Sequence, residues 1–157
     1  MKYRSDFVTN SSSSSFIVAY NTPDNMVKSI NKFVKNYEDD DYSNQYKSVV
    51  YDLFKKKISY TDAIKYATKV AKYDARIKYQ MHLPGIEKYG NYQKWQASKE
   101  YKDLCNKYVE KQLVLFKKTV KPNSYISMIN YIDSDGFFDV CANLENMLDG
   151  VVLKIHE

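Results

Sequence analysis

The sequence predicts an α+β protein that is richer in helix than in sheet. Four stretches carry apolar residues at helical spacing, at about 23–36, 46–54, 61–82 and 95–120. Three short runs rich in β-branched and aromatic residues predict a small, mainly antiparallel sheet with strands at 16–20, 125–141 (a hairpin) and 151–155. The chain of 157 residues has the usual length of one domain and can bury a core without disulfides or metals.

The first strand and the first helix follow each other directly. Residues 16–20 are almost continuously apolar, which is typical of a strand buried on both faces, so we expect this strand to be central. Thr22 is a good N-cap, Pro23 fits the first helical position, and Asp24 suits the positive end of the helix dipole. A helix over residues 23–36 is expected.

The middle of the chain predicts two further helices. The acidic cluster at 38–41 should form a surface loop, and the helix after it should end at Lys55, Lys56 and Lys57. Ser59 or Thr61 then caps a helix that runs to about His82. Its predicted packing face holds Ala63, Ala67, Val70, Ile77 and Met81, and the small residues Ala63, Ala67, Ala71 and Ala75 would let a neighbour approach closely.

The last part of the chain returns to sheet. Residues 84–94 contain two glycines and a proline and predict a connection before the helix at 95–120. The turn sequence at 133–136 ends in Asp-Gly and predicts the hairpin over 125–141. A short helix at 142–148 and the strand at 151–155 complete the order. Two arrangements fit it: a ferredoxin-like sheet with a helical insertion in its first crossover, or an antiparallel sheet against a separate helical layer.

We expect residues 1–14 to form a flexible Ser-rich leader and residues 15–157 a single α+β domain. Ser15 should already join the sheet, whereas residues 10–13 should be exposed or poorly ordered. No apolar run approaches the roughly twenty residues of a membrane span, and residues 16–20 are too short for a signal peptide. Cys105 and Cys141 are isolated within apolar patterns, which indicates buried reduced thiols and a cytoplasmic protein.

No catalytic, metal or cofactor motif is apparent. The two histidines, His82 and His156, are far apart in sequence, and neither has the spacing from a Cys or a carboxylate that a local metal site or catalytic dyad requires. The residues at 133–136 resemble part of a calcium loop, but Ala142 occupies the position of the bidentate glutamate, so a hairpin turn is the better interpretation. We therefore expect no cofactor and no enzymatic activity. An enzyme whose site assembles only in three dimensions stays an alternative.

A basic surface is the clearest candidate site. The chain has a net charge of +5, and the third predicted helix places Lys65, Lys69, Lys72 and Arg76 on one stripe with Tyr66, Tyr73 and Tyr79 beside it. Cations alternating with aromatic rings are typical of a single-stranded nucleic-acid track. A solvated helix face would show almost the same pattern. The stripe predicts contact with nucleic acid or with another partner.

One stretch resembles a known signature. Arg4-Ser5-Asp6 followed by Phe7-Val8-Thr9-Asn10-Ser11-Ser12-Ser13-Ser14-Ser15-Phe16-Ile17-Val18 is similar to an N-terminal sequence shared by many small uncharacterised proteins of bacteriophages, anaerobic bacteria and archaea. The resemblance covers about a tenth of the chain. It implies a shared address or processing signal and a mobile-element setting, with the serines as a modification or recognition leader: Ser11, Ser12, Ser13, Ser14 and Ser15.

The resemblance suggests a first function. A small protein without a catalytic set, with this leader, would be a phage or mobile-element accessory protein in the host cytosol. It would act by binding a host macromolecule, for example as an inhibitor of a defence complex, so a host protein or complex is the expected partner. Nucleic-acid binding through the helix at 61–82 is the alternative. The sequence leaves the oligomeric state open.

Overall fold

The computed structural model describes residues 13–35, 44, 47–48, 56–132, 144–145 and 148–156. The chain divides into two compact units, one formed by Met1–Ile58 with Asn123–Glu157 and the other by Ser59–Pro122. We call them the sheet unit and the helical unit. The expectation of one domain over residues 15–157 stays a prediction.

The described residues confirm a helix-rich α+β protein with a small antiparallel sheet. The sheet unit contains strands β1 (Ser13–Tyr20), β2 (Tyr125–Ile132) and β3 (Val151–His156) and helix α1 (Pro23–Lys35). The helical unit contains α2 (Tyr60–Gln80), α3 (Leu83–Tyr89), α4 (Tyr92–Ala97) and α5 (Lys99–Thr119).

Strand β1 is the central strand among the three, as its unbroken apolar run predicts. The strand order is β2-β1-β3, and both pairings are antiparallel. The strand begins at Ser13, three residues before the predicted start, because Ser13 pairs with Ile132 at the far end of the eight-residue β2. Ser13 and Ser14 therefore belong to the sheet rather than to the leader, and Ser15 joins the sheet as expected.

A short segment at Lys57 extends the sheet beyond β2. Lys57 forms an antiparallel bridge with Ser127, and the Ile58 N–H donates to the Ile126 carbonyl at 3.0 Å. If this segment is counted as a strand, the order across the sheet is Lys57 segment, β2, β1, β3, with all neighbours antiparallel. This order and direction are those of a ferredoxin-like sheet. The helical unit is inserted between the Lys57 segment and β2, not in the first crossover as predicted. The segment pairs with β2 through the backbone of Lys56 and Ile58, which the helix-ending lysine pattern does not reveal.

The core of the sheet unit lies between the sheet and the helices beside it. Phe16 and Val18 of β1 and Ile129 of β2 pack in one buried cluster with Met26 and Ile30 of α1 and with Leu144 and Leu148. Helix α1 starts as predicted, because the Thr22 hydroxyl accepts the Asn25 N–H at 3.2 Å. The predicted helix over 23–36 and the predicted last strand at 151–155 each agree with the structure to within one residue.

In the helical unit, α2 packs along α5 through its small residues. Ala63, Ala67, Ala71 and Ala75 are all buried, which confirms the predicted close approach. Ile77 and Met81 are exposed, so their assignment to the packing face was wrong. The four alanines already form the contact surface at four-residue spacing, and Met81 lies beyond the last helical residue, Gln80.

The predicted connection at 84–94 forms two short helices instead. Pro84 lies in the first turn of α3, where its missing N–H costs nothing, and Gly90 ends that helix in the left-handed conformation, with φ 85°. Asn91 and Ser98 then cap α4 and α5 by accepting the Lys94 and Tyr101 N–H groups. The last long helix therefore starts at Lys99 rather than Trp95.

Several predictions fall outside the described residues. They concern the leader residues 1–12, the acidic cluster at 38–41, most of the helix at 46–54, the hairpin turn at 133–136 with the strand after it, and Cys141. Of the predicted short helix at 142–148, Leu144 and Glu145 are helical and the Leu148 N–H donates to the Leu144 carbonyl.

Candidate functional site

The positive charge of the chain is concentrated in the helical unit. Residues Ser59–Pro122 contain 14 Lys and Arg against 6 Asp and Glu, a net charge of +8. The rest of the sequence contains 10 basic and 13 acidic residues, a net charge of −3. The modest net charge of the whole chain therefore conceals a strongly basic unit within it.

The predicted stripe lies on the exposed side of α2. Lys65, Lys69, Lys72 and Arg76 are all exposed, while the four alanines on the opposite side of the helix are buried against the unit's interior. The burial of the alanines fixes the rotation of α2 about its own axis. Packing of the small residues thus turns the stripe toward solvent, and the predicted placement of its four cations is confirmed.

The first turn of α2 compensates part of this charge. The Asp62 N–H donates to the Ser59 hydroxyl at 3.0 Å, and that hydroxyl donates to the Asp62 carboxylate at 2.8 Å. Lys65 forms an ion pair with Asp62 at 3.1 Å. The hydrogen bond from Ser59 and then the Lys65 ammonium lower the pKa of Asp62. The stripe and Asp62 together carry a net charge of +3.

Tyr73 is the most accessible aromatic side chain beside the stripe. Half of its surface is exposed, at 51%, and the Arg76 guanidinium carbon lies 5.8 Å from its ring centroid. Tyr66 is half-buried. The two rings therefore differ in access, although both lie next to the cations as the sequence predicts.

Lys78 forms a second cation–aromatic group with Tyr79 and Tyr108, of which the sequence pattern singles out only Tyr79. The Lys78 ammonium lies 5.6 Å from the Tyr79 ring centroid and 5.0 Å from that of Tyr108 on α5. Tyr79 and Tyr108 themselves meet edge to face, with centroids 6.2 Å apart. The neighbouring positions of Lys78 and Tyr79 give a weak signal in the sequence, but the contribution of Tyr108 depends on how α2 packs on α5.

An exposed apolar patch lies at the C-terminal end of α2. We use this name for Ile77, Met81 and Leu83, which are 42%, 63% and 65% exposed. The sequence does not predict this patch, since the helical pattern that includes Ile77 and Met81 predicts their burial and no pattern was assigned to Leu83. The three exposed side chains lie within seven residues of the chain, and adjoining exposed apolar residues are more typical of a contact surface than isolated ones are.

The aromatic residues around Trp95 have a structural role. Trp95 is buried and donates its indole N–H to the Tyr79 carbonyl at 2.9 Å. His82 lies over it at 5.6 Å between ring centroids, and Tyr101 meets it edge to face at 5.6 Å. These contacts give His82 a packing partner in Trp95 and hold the short helices α3 and α4 in place.

Tyr20 is the centre of a polar network in the sheet unit. Its hydroxyl lies within hydrogen-bond distance of Ser29 on α1 and of Asp149, and it accepts the Gly150 N–H at 3.2 Å. Burial raises the pKa of Tyr20. The network joins β1, α1 and the turn before β3. It connects three elements of one fold, which is a sufficient explanation for these side chains.

The predicted leader and thiol sites are only partly described. Ser11 and Ser12 lie outside the described residues, and Ser13, Ser14 and Ser15 pair within β1. The Ser15 hydroxyl donates to Asn130 at 2.7 Å. Cys105 is a free, half-buried thiol whose Sγ lies 3.8 Å from the Ala75 carbonyl oxygen. The prediction that Cys105 is buried is therefore met only in part.

Comparisons with known proteins identify no relative of the chain. No family model, curated protein or solved structure matches the chain. Within the described ranges, no three or more His, Cys, Asp or Glu side chains are grouped so that they could hold a metal ion. Among the helices of the described part of the chain, none combines the length and apolarity needed to cross a bilayer.

Proposed function

We propose that this protein binds nucleic acid through the basic face of its helical unit. The observation that carries the proposal is the separation of charge, with +8 in the helical unit and −3 in the rest of the sequence. A basic unit of this kind attracts phosphate backbones, and the release of their counterions supplies most of the free energy of such binding.

The stripe on α2 is the best-defined part of that face. Its four cations are exposed, and they share one side of a helix whose other side is held by buried alanines. A rigid helix holds the cations in a fixed register, so several can contact one backbone at the same time. Three of the four cations are lysines, which contact phosphate without the bidentate geometry that reads base edges. We expect affinity with little sequence preference.

The test measures oligonucleotide binding by fluorescence anisotropy over a range of salt concentrations. Charge reversal at Lys65, Lys69, Lys72 and Arg76 to Glu should abolish most of the binding. It should also reduce the slope of log K against log salt by roughly 3 units, about 0.7 to 0.9 for each lost phosphate contact. Four reversals in the sheet unit, at the exposed Lys28, Lys32, Lys35 and Lys56, provide a control with the same change in net charge.

Two results would contradict this function. Binding that does not depend on salt would show that phosphates are not contacted. Equal losses in the two charge-reversed variants would show that net charge, rather than the α2 stripe, determines binding.

The apolar patch favours a second candidate, binding to a host protein. Met81 and Leu83 expose more than 60% of their surface, and apolar anchors of this size are typical of protein interfaces. In this second candidate function, the protein is a phage or mobile-element accessory protein that binds a host protein, for example to inhibit a defence complex. It is supported by exposure and by the resemblance of the leader.

Its test is a pull-down from host lysate with three proteins: wild type, Ile77→Asp/Met81→Asp/Leu83→Asp, and a chain without residues 1–12. The leader deletion stops at residue 12 because Ser13, Ser14 and Ser15 pair within β1. A stoichiometric partner that the triple variant loses would support the second candidate. A partner that all three proteins retain would argue against the patch.

A further inference from the structure

We infer that the exposed face of α2 selects single-stranded over double-stranded nucleic acid, with Tyr73 as a base-stacking residue. The inference rests on the proposed function and adds the class of nucleic acid to it. It comes from a ladder of alternating aromatic and cationic side chains on one helix face, which we define as Tyr66, Lys69, Tyr73 and Arg76.

The spacing of the ladder keeps its members adjacent. Steps of three, four and three residues place each side chain next to the following one on the helix surface. The four positions rise through about 15 Å, at 1.5 Å for each residue. A cation therefore follows each ring along the axis, and a strand that lies along α2 would meet rings and charges in turn.

The exposure of Tyr73 makes it the main stacking position. Its side chain is 51% accessible, and Arg76 lies close enough to its ring for a cation–π contact, at 5.8 Å. That contact restrains both side chains, so less rotamer entropy remains to be lost when a base stacks on the ring. Tyr66 is half-buried and offers less ring surface.

The aromatic rings of the ladder favour single-stranded over double-stranded nucleic acid. In a duplex, each base already stacks on its neighbours and turns its faces inward, so Tyr73 could contact only the backbone or a groove edge. In a single strand, a base can leave its neighbours and stack on an aromatic ring, which stabilises the complex by about 1–3 kcal/mol for each base. A purely cationic face would lack this preference.

The experiment compares one 12-nucleotide sequence as single-stranded DNA, single-stranded RNA and blunt DNA duplex, with the full chain at low and moderate salt. Wild type should bind both single strands more tightly than the duplex. Tyr73→Ala should weaken single-strand binding roughly 5- to 150-fold and change duplex binding less than about twofold. Tyr73→Phe keeps the ring and should bind like wild type.

Fluorescence of a base analogue measures stacking directly, in addition to the binding affinities. An oligonucleotide with 2-aminopurine at one position should show a change in fluorescence with wild type and Tyr73→Phe that is much smaller with Tyr73→Ala. Thermal unfolding of each variant checks the fold, and because Tyr73 is exposed we expect it to be unchanged.

The outcomes distinguish the two proposals. Duplex binding as tight as single-strand binding, or an equal loss of both in Tyr73→Ala, overturns the inference and leaves nucleic-acid binding in place. A poly-glutamate peptide that competes as well as the single strand also overturns it, since charge alone would then explain binding to the face. No binding to any of the three nucleic acids overturns both proposals.

Discussion

Gly85 lies so close to the Trp95 indole that a side chain has no room. A Cβ atom at this position would meet the indole carbons at 2.5 Å, well inside van der Waals contact. Gly85→Ala should therefore force Trp95 out of its site and destabilise the protein by about 1–3 kcal/mol. Urea unfolding followed by fluorescence measures this directly, because Trp95 is the one tryptophan in the sequence.

Gly90→Ala is the matched control for this prediction. Gly90 has a positive φ of 85°, and a Cβ there would meet no atom within 4 Å. Its cost should be about 1–2 kcal/mol of backbone strain, and the native emission of Trp95 should not change. A Gly85→Ala protein with wild-type emission and stability would contradict the packing of Trp95 on Gly85.

Glu100 should make the protein sensitive to acid. Lys88 hydrogen-bonds and pairs with Glu100 at 2.9 Å, and Tyr89 donates to the same carboxylate, so the pKa of Glu100 is lowered. A lowered folded pKa stabilises the protein above the unfolded value of about 4.3, and this contribution is lost as pH falls through the folded value. The same pair raises the pKa of Lys88, so the Lys88 contribution is lost only at strongly alkaline pH.

Urea midpoints of wild type and Glu100→Gln between pH 7 and pH 3 test this. We expect the variant to be less stable at pH 7 and the difference to vanish at the acid end. Glu110→Gln makes the same substitution at an exposed position on α5 and controls for net charge. A difference that stays constant over the whole range would rule out the ion pair as its cause.

At the scale of the element, the effect of a substitution in α2 on stability depends on whether the residue lies on the buried or the exposed face of the helix. Ala71 is buried toward α5, and Lys72 follows it on the exposed side. Ala71→Leu should destabilise the protein by about 1–3 kcal/mol, because the added carbons must enter a closely packed helix contact. Lys72→Leu should change stability by less than about 0.5 kcal/mol.

Thermal or urea unfolding of the two variants gives the comparison, since both introduce the same side chain at adjacent positions. Similar stabilities would contradict the assignment of the two faces. The same pair also separates packing from binding, because Lys72→Leu removes one cation of the stripe and should weaken nucleic-acid binding without affecting the fold.

At the scale of the whole molecule, the helical unit is a long connection between neighbouring antiparallel segments. Ile58 donates to Ile126 in the sheet, and the chain leaves and re-enters the sheet unit at those strands. Replacing Ser59–Pro122 with Asn-Gly should preserve the sheet unit. Together with residues 123–125 the two added residues form a loop of about five residues between Ile58 and Ile126, which is a common hairpin length and costs little entropy to close.

Circular dichroism and amide NMR dispersion would show whether the shortened chain folds. It should keep strand signals, lose most helical signal and lose nucleic-acid binding. The reciprocal change, charge reversal on α1 and Lys56, should leave binding intact. A shortened chain that is unfolded would show that the sheet unit depends on the insertion for its stability.

The sequence by itself determined the type and approximate limits of the three long helices α1, α2 and α5 and of the central strand β1. Helical spacing and a capping threonine predict α1, and an apolar run bounded by polar residues predicts the central strand β1. The cationic stripe also follows from sequence, because steps of three and four residues place side chains on one helix face whatever the helix packs against. These features depend on local propensity and periodicity.

Tertiary structure alone decided which apolar positions are buried and where the sheet ends. Ile77 and the alanines of α2 fit the same helical pattern, but small residues bring the backbones close and leave Ile77 outside. The segment at Lys57 joins the sheet through backbone hydrogen bonds of Lys56 and Ile58 with a strand about 70 residues away in sequence, which side-chain patterns do not encode. The exposure of Tyr73 and of the apolar patch is likewise set by long-range packing, so the candidate surface was predictable in its charges and not in its shape.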